Sequence, residues 1–333
     1  MNRPRCSRRR ALTVIAVAAG VPLLASPGKA QRTPVLEWRG RALGAEARLL
    51  LGHPDTAATR RVIASCLDEI ARLERIFSLH LPGSEIAALN RAGWLDAASH
   101  DLRILLAEAQ RFGELSGGAF DVTVQPLWQL YAAHFAASPD DVAGPPAGRI
   151  EAARRLVDYR AIVLEGASVR FLRPGMAVTL NGIAQGYITD RVADLLRGAG
   201  FARVLVQLGE TVAGAPRPDG RPWRVGISDP FAPDRIIETI DAVDVAIATS
   251  SGRATRFDAA GRHHHLFDPA TGRSADACAS VSVVARRATT ADALSTACAV
   301  SPGAATTELL QEADAAALFV AADGSRGWLG SRS

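Results

Sequence analysis

The chain has 333 residues, 48% of them apolar and 22% charged, with a formal net charge of +4. Six basic residues and no acidic one fall in the first thirty positions, which leaves −2 for the remainder. That balance excludes the basic tract of a nucleic-acid binder, and roughly 300 apolar-rich residues suffice to bury one large core or two fused ones.

Residues 1–30 read as a leader. Arg3, Arg5 and Arg8-Arg9-Arg10 precede an apolar stretch from Ala11 to Leu24, and Gly28-Lys29-Ala30 supplies a small-residue cleavage site. Ser7-Arg8-Arg9-Arg10-Ala11-Leu12 has the twin-arginine arrangement, which predicts export of an already folded protein to the periplasm. About 14 apolar residues fall short of the ~20 that span a bilayer, so the mature chain is expected to carry no transmembrane segment. Cys6 precedes the apolar stretch and is not placed as a lipoprotein cysteine. For Cys278 and Cys298, a disulfide and buried free thiols both stay open.

Alternation over 35–51 predicts a strand interrupted at Gly44. Val62, Ile63, Leu67, Ile70, Leu73 and Ile76 recur at helical spacing and predict a helix over 56–76. A turn at Pro82-Gly83 leads to a short helix ending near Asn90, and a helix over 99–115 stops at Ser116-Gly117-Gly118. Another runs through Trp128 and Tyr131 to Ala136. Residues 138–148, rich in Pro and Gly, predict a surface loop separating two subregions of one 31–333 domain. β-like runs follow at 160–164, 168–172, 203–208, 223–228, 236–249 and 279–285, with helices over 183–199, 290–300 and 304–313. Strands broken by helices without regular βαβ alternation imply an α+β fold.

Four segments carry chemistry. Thr179 to Tyr187 places two glycines four apart at a helix start, a pattern that lets a phosphate approach the backbone and serves plain packing equally. Asp292 and Thr296 stand at i and i+4 on one helix face, behind Thr289 or Thr290 as N-cap. They are hard oxygen donors suited to Mg²⁺, or a dipole-compensating acid beside a buried threonine. His263-His264-His265 precedes the turn Asp268-Pro269-Ala270-Thr271-Gly272. Strand alternation splits the triplet, which disfavours zinc and leaves one histidine beside Asp268 for general-base work. Gly117-Gly118 feeding Phe120 and Asp121 fits a ring-binding slot or an ordinary helix-to-strand turn.

In this order and spacing, five blocks resemble the ApbE family, the FAD:protein FMN transferases, from about Leu43 to Ala321. They are Gly-Gly-Ala-Phe-Asp (117–121), Gly-Ile-Ala-Gln-Gly-Tyr (182–187), Ala-Thr-Ser-Ser-Gly (248–252), His-Leu-Phe-Asp-Pro-Ala-Thr-Gly (265–272) and Ala-Asp-Ala-Leu-Ser-Thr (291–296). The resemblance implies an ApbE-like, T-fold-related α+β fold of mixed sheets with packed helices. It implies Mg²⁺ held by Asp292, Thr296 and a backbone carbonyl of Gly182 or Ala184, with Ser295 reaching the ion through water. It places FAD contacts on Leu43, His80, Asn90, Ala119, Phe120, Asp121, Thr179, Gln185 and Leu266. Thr179 stands where members carry an acid, Gln185 where they carry a lysine, and His80 where they carry a stacking aromatic. His265 is the expected base, oriented or replaced by Asp268.

The implied reaction cleaves FAD to AMP and joins FMN by a phosphoester to a threonine in the FMN-binding domain of a redox partner. The run from Thr179 to Arg191, with the twin-arginine leader, looks most like the branch associated with nitrous oxide reduction, whose partner is a membrane-bound regulator. An Mg²⁺-dependent FAD pyrophosphatase and a non-catalytic flavin carrier are the alternatives.

Overall fold

The computed structural model describes residues 33–42 and 45–331. The leader and Leu43 lie outside the described residues. β1 (Val35–Ala42) and β2 (Ala45–Gly52) pair antiparallel, with Ala42 opposite Ala45. α1 (Thr56–Phe77) starts where the Asp55 carboxylate accepts the Ala58 N–H at 2.8 Å. Its buried stripe of Val62, Ile63, Cys66, Ile70, Leu73 and Ile76 follows the helical period. α2 (Glu85–Ala92) ends at Gly93, whose φ of 77° suits a glycine stop. β3 (Trp94–Leu95) and the Ser99-capped α3 (His100–Leu115) follow.

α4 (Gln125–Ala137) and α5 (Ala147–Arg154) come next, the latter an addition to the expected elements. β4 (Ile162–Glu165) and β5 (Ser168–Phe171) form a three-stranded sheet with β3. After α6 (Ala184–Gly198) come β6 (Val204–Leu208), β7 (Glu210–Ala213), β8 (Trp223–Ser228), β9 (Ile236–Ala242) and β10 (Val245–Ser250). A short hairpin of β11 (Phe267–Asp268) and β12 (Arg273–Ser274) precedes β13 (Ser280–Ala285). α7 (Ala288–Val300), α8 (Ala304–Glu312), β14 (Ala316–Val320) and β15 (Arg326–Gly330) complete the described chain.

The main sheet has eight strands in the order β1-β2-β6-β7-β10-β13-β14-β15, with every pairing antiparallel. The mixture in this α+β fold is therefore of helix and strand, not of strand direction. Burial on both faces explains the near-continuous apolar runs. Val204, Val206 and Leu208 of β6, with Ala246 and Ala248 of β10, join the core beneath α1, α6 and α7. Leu205, Ile247 and Leu318 face the other way, against Trp223, Val225 and Ile227 of the β8–β9 hairpin. The main cluster runs from Trp38 to Ala317 and draws on both sides of 138–148.

Two expectations need correction. The single run over 236–249 is two strands, because Asp244 turns the chain at a φ of 48° and sends β10 into the main sheet. No Gly or Pro marks that break. Neither Thr289 nor Thr290 caps α7; Asp190 of α6 does so from outside, accepting the Ala288 and Thr289 N–H groups at 2.9 Å each. Arg287 lies 3.3 Å from the same carboxylate, so a buried acid at the helix start has both dipole and counter-charge. Cys66, Cys278 and Cys298 are free thiols. Among the described residues no helix is long and apolar enough to cross a membrane.

The α6–α7 seam closes on Gly186. A Cβ there would lie 2.3 Å from the Ala288 carbonyl oxygen and 2.8 Å from Asp292 Cβ. Replacing helical Gly by Ala ordinarily gains about 1 kcal/mol, but forcing a methyl against backbone costs about 1–3 kcal/mol or more. Gly186→Ala is expected to lower the urea midpoint, whereas Gly198→Ala, with open space around it, should leave it unchanged or raise it.

Candidate active site

A cavity of about 970 Å³ opens between the helical layer, the 119–124 turn, the 249–255 segment and the β11 approach. Gly117 and Gly118, at φ 62° and 89°, close α3 and turn the chain so that Ala119, Phe120 and Asp121 reach the wall. Thr179, Gly182, Ala184 and Gln185 supply a second wall at the start of α6; His265 and Leu266 supply a third. Exposed His80 sits at the lip. Asp292 and Thr296 of α7 complete the lining. Segments far apart in sequence thus converge on one volume.

Asp292 is the pivot of its polar corner. It is 4% exposed, and Oδ2 accepts the Gly186 N–H at 2.9 Å. Burial pushes its carboxyl up to about 7, the Gly186 N–H draws it back in part, and the Asp190 charge raises it further. Gly182, without a Cβ, lets Thr296 Oγ1 come within 3.0 Å of where that atom would stand. Ser250 Oγ bridges Thr296 Oγ1 at 3.1 Å and Ser295 Oγ at 2.7 Å. Ser295 is fully buried, donates to the Asp292 carbonyl at 2.9 Å and is not on the wall.

Among the described residues lining the cavity there is no lysine or arginine. The start of α6 offers little in their place. Its Ala184 N–H is taken by Leu180, its Gly186 N–H by Asp292 and its Tyr187 N–H by Ile183. A buried carboxylate without a basic partner, a neighbouring hydroxyl and a close-packed backbone segment form an all-oxygen donor set. That set fits a hard divalent cation such as Mg²⁺.

Asn90 does not reach the wall. Its Nδ2 donates to the Val178 carbonyl at 2.8 Å and its Oδ1 accepts the Val178 N–H at 2.7 Å, fixing the strand-like run into Thr179. Asp121 anchors its own turn, accepting the Thr123 and Tyr159 N–H groups at 2.7 and 3.0 Å, while burial pushes it up to about 6. Asp268 does not orient His265: its oxygens accept the Ala270 N–H and the Thr271 hydroxyl, both at 2.9 Å, and close the turn. The partner of His265 Nδ1 is the Thr255 carbonyl at 3.1 Å. A carbonyl only accepts, so Nδ1 carries the proton and Nε2 keeps its lone pair. Burial holds His265 below its ordinary 6.5, with the Thr255 hydrogen bond opposing.

The histidine triplet is split three ways. His263 packs against the Tyr131 and Phe135 rings at 5.8 and 5.2 Å. His264 is buried over Gly252, and burial drives it down to about 4. Only His265 faces the cavity. Sequence reasoning missed Glu210, a buried acid on the cavity wall, and gave Ser250 no role. The signal for Glu210 was an acid inside the apolar run from Val204 to Ala213.

The raised Asp292 has a consequence for stability. Its folded value of about 7 lies above the ordinary 3.8, so the folded chain holds that proton more tightly than the unfolded one. Its contribution therefore falls as pH rises from 4 to 7. In EDTA, Asp292→Asn is expected to gain stability relative to wild type across that window, read as a widening difference in melting temperature.

The ApbE family profile matches residues 44–319. A FAD:protein FMN transferase from Vibrio cholerae is 36% identical over 205 residues, covering 60% of this chain and 60% of that protein's length. One from Treponema pallidum is 34% identical over 266 residues, covering 72% of each. The solved flavin transferase ApbE from Vibrio cholerae superposes with a TM-score of 0.78 at 27% identity, covering 90% of this chain and 98% of that one. The ApbE protein from Thermotoga maritima gives 0.79 at 28% identity, covering 89% and 97%. With the family profile spanning most of the chain and the same fold in solved relatives, this chain belongs to the ApbE family of flavin transferases.

Proposed function

We propose that the chain is an exported, Mg²⁺-dependent FAD:protein FMN transferase that modifies a threonine of a redox partner's FMN-binding domain. One observation carries the reading: a dinucleotide-sized cavity whose polar corner is built from buried Asp292 and half-buried Thr296 and whose described lining has no lysine or arginine. An anionic pyrophosphate entering such a cavity needs a counter-charge that the side chains do not supply. Asp292, Thr296 and the Gly182 carbonyl would hold the Mg²⁺. When bound, the ion would supply charge neutralisation at the phosphoryl oxygens and ease the departure of AMP.

The remaining work falls to the chain's own groups. Ala119, Phe120 and Leu266 offer an apolar wall for the flavin half, and His80 at the lip replaces the family's stacking aromatic. The threonine hydroxyl forms a bond to the FMN phosphorus as the bond to AMP breaks. Its proton passes to His265 Nε2, which is free because Nδ1 is committed to Thr255. Burial keeps His265 neutral at pH 7 and so ready to accept it. The twin-arginine leader supports a periplasmic site of action. The run from Thr179 to Arg191 supports a membrane-bound regulator of nitrous oxide reduction as partner.

Covalent flavin on a co-expressed FMN-binding domain, read by in-gel fluorescence, tests this. Asp292→Asn is expected to cut flavinylation roughly 100-fold or more, as loss of a charge-stabilising group does. His265→Gln should lower kcat roughly 100-fold, and the wild-type acid limb should lie below pH 6.5. Flavinylation undiminished in EDTA would overturn the metal requirement; AMP release at full rate without acceptor would favour a pyrophosphatase.

A further inference from the structure

Glu210 has no task in that account, yet it is a buried acid on the same wall as Asp292. It opens β7 directly after Gly209, whose φ of 98° folds the β6–β7 connection back on itself. Gly209 packs on Gln185: a Cβ there would lie 2.6 Å from Gln185 Nε2. Asp292 in turn is bonded to the next residue, Gly186. The two acids therefore flank the first turn of α6, one from the strand side and one from the helix side.

Among the described residues, neither has a basic partner. Asp190, the third acid of this region, is satisfied by α7 and lies against Arg287. Glu210 has only the Thr249 backbone N–H to set against burial and the Asp292 charge, which together push its carboxyl well above the ordinary range. Asp121, also on the wall, is engaged in its own turn, but two buried carboxylates flanking one turn of α6 without a lysine or arginine beside them are an unbalanced arrangement, and a divalent ion balances it.

From this placement we infer that Glu210 is a further carboxylate of the cation site, acting from β7 as Asp292 does from α7. This rests on the metal-dependent reading above and extends it. Two carboxylates match a divalent charge, so the ion is held before any nucleotide arrives. With Asp292 alone, retention depends on the pyrophosphate.

The test uses the mature chain free of FAD, titrated with Mn²⁺ and followed by electron paramagnetic resonance. Glu210→Gln keeps the size of the side chain and its acceptor for the Thr249 N–H, and its fold is checked by melting temperature. The expected result is Mn²⁺ binding by wild type without FAD, weakened at least roughly tenfold in Glu210→Gln and in Asp292→Asn, with Glu210→Asp in between. Wild-type affinity in Glu210→Gln alongside weakened binding in Asp292→Asn would overturn the role of Glu210 and leave the metal-dependent reading standing. Mn²⁺ binding untouched by either change, with flavinylation surviving EDTA, would sink both.

Discussion

The structure turns on one buried carboxylate. Asp292 sits in the seam between α6 and α7, where its carboxylate accepts the Gly186 N–H at 2.9 Å. The seam is that tight because position 186 has no side chain and because α7 presents Ala288, Ala291, Ala293 and Ala297 as its buried face. Burying an acid with so little compensation is unfavourable. The fold tolerates it where a strong sheet and a helix cap from Asp190 hold α7 in place. The same closeness that raises Asp292 also brings Gly182, Thr296 and Ser250 together.

The electrostatics of the cavity follow from what its walls lack. A site for a charged dinucleotide ordinarily draws on lysine, arginine or an open helix terminus. None of the described wall residues is a lysine or arginine, and the α6 terminus has spent most of its N–H groups on Leu180, Ile183 and Asp292. In the proposed function, recognition of phosphate is thereby coupled to a cation. The proposed proton acceptor is separated from that corner: His265 lies on the β11 approach, its tautomer set by Thr255 and its pKa lowered by burial.

Much of this was legible in the sequence, and the unread parts have physical reasons. Helices α1, α3 and α6 carry strong period and clear stops, whereas α7 is buried nearly all round and only the i, i+4 spacing of Asp292 and Thr296 made their shared face legible. The site blocks were legible as an ordered set rather than singly. What escaped depends on partners distant in sequence. Asp190 caps a helix that begins 98 residues later, and Asn90 clamps the backbone of Val178 across 88 residues. Asp268 looked like the partner of His265 because it is near in sequence, but its own turn consumes it. Glu210 was hidden in an apolar strand run, where its burial beside Asp292 appears only once β7 and α7 are packed.

The central claim is that nucleotide enters this cavity only with a divalent cation. Isothermal titration of FAD into the mature chain, in Mg²⁺ and again in EDTA, measures it most directly. Tight binding with Mg²⁺ and a loss of roughly 100-fold or more in affinity without it is the predicted result. Equal affinity in the two buffers would contradict it.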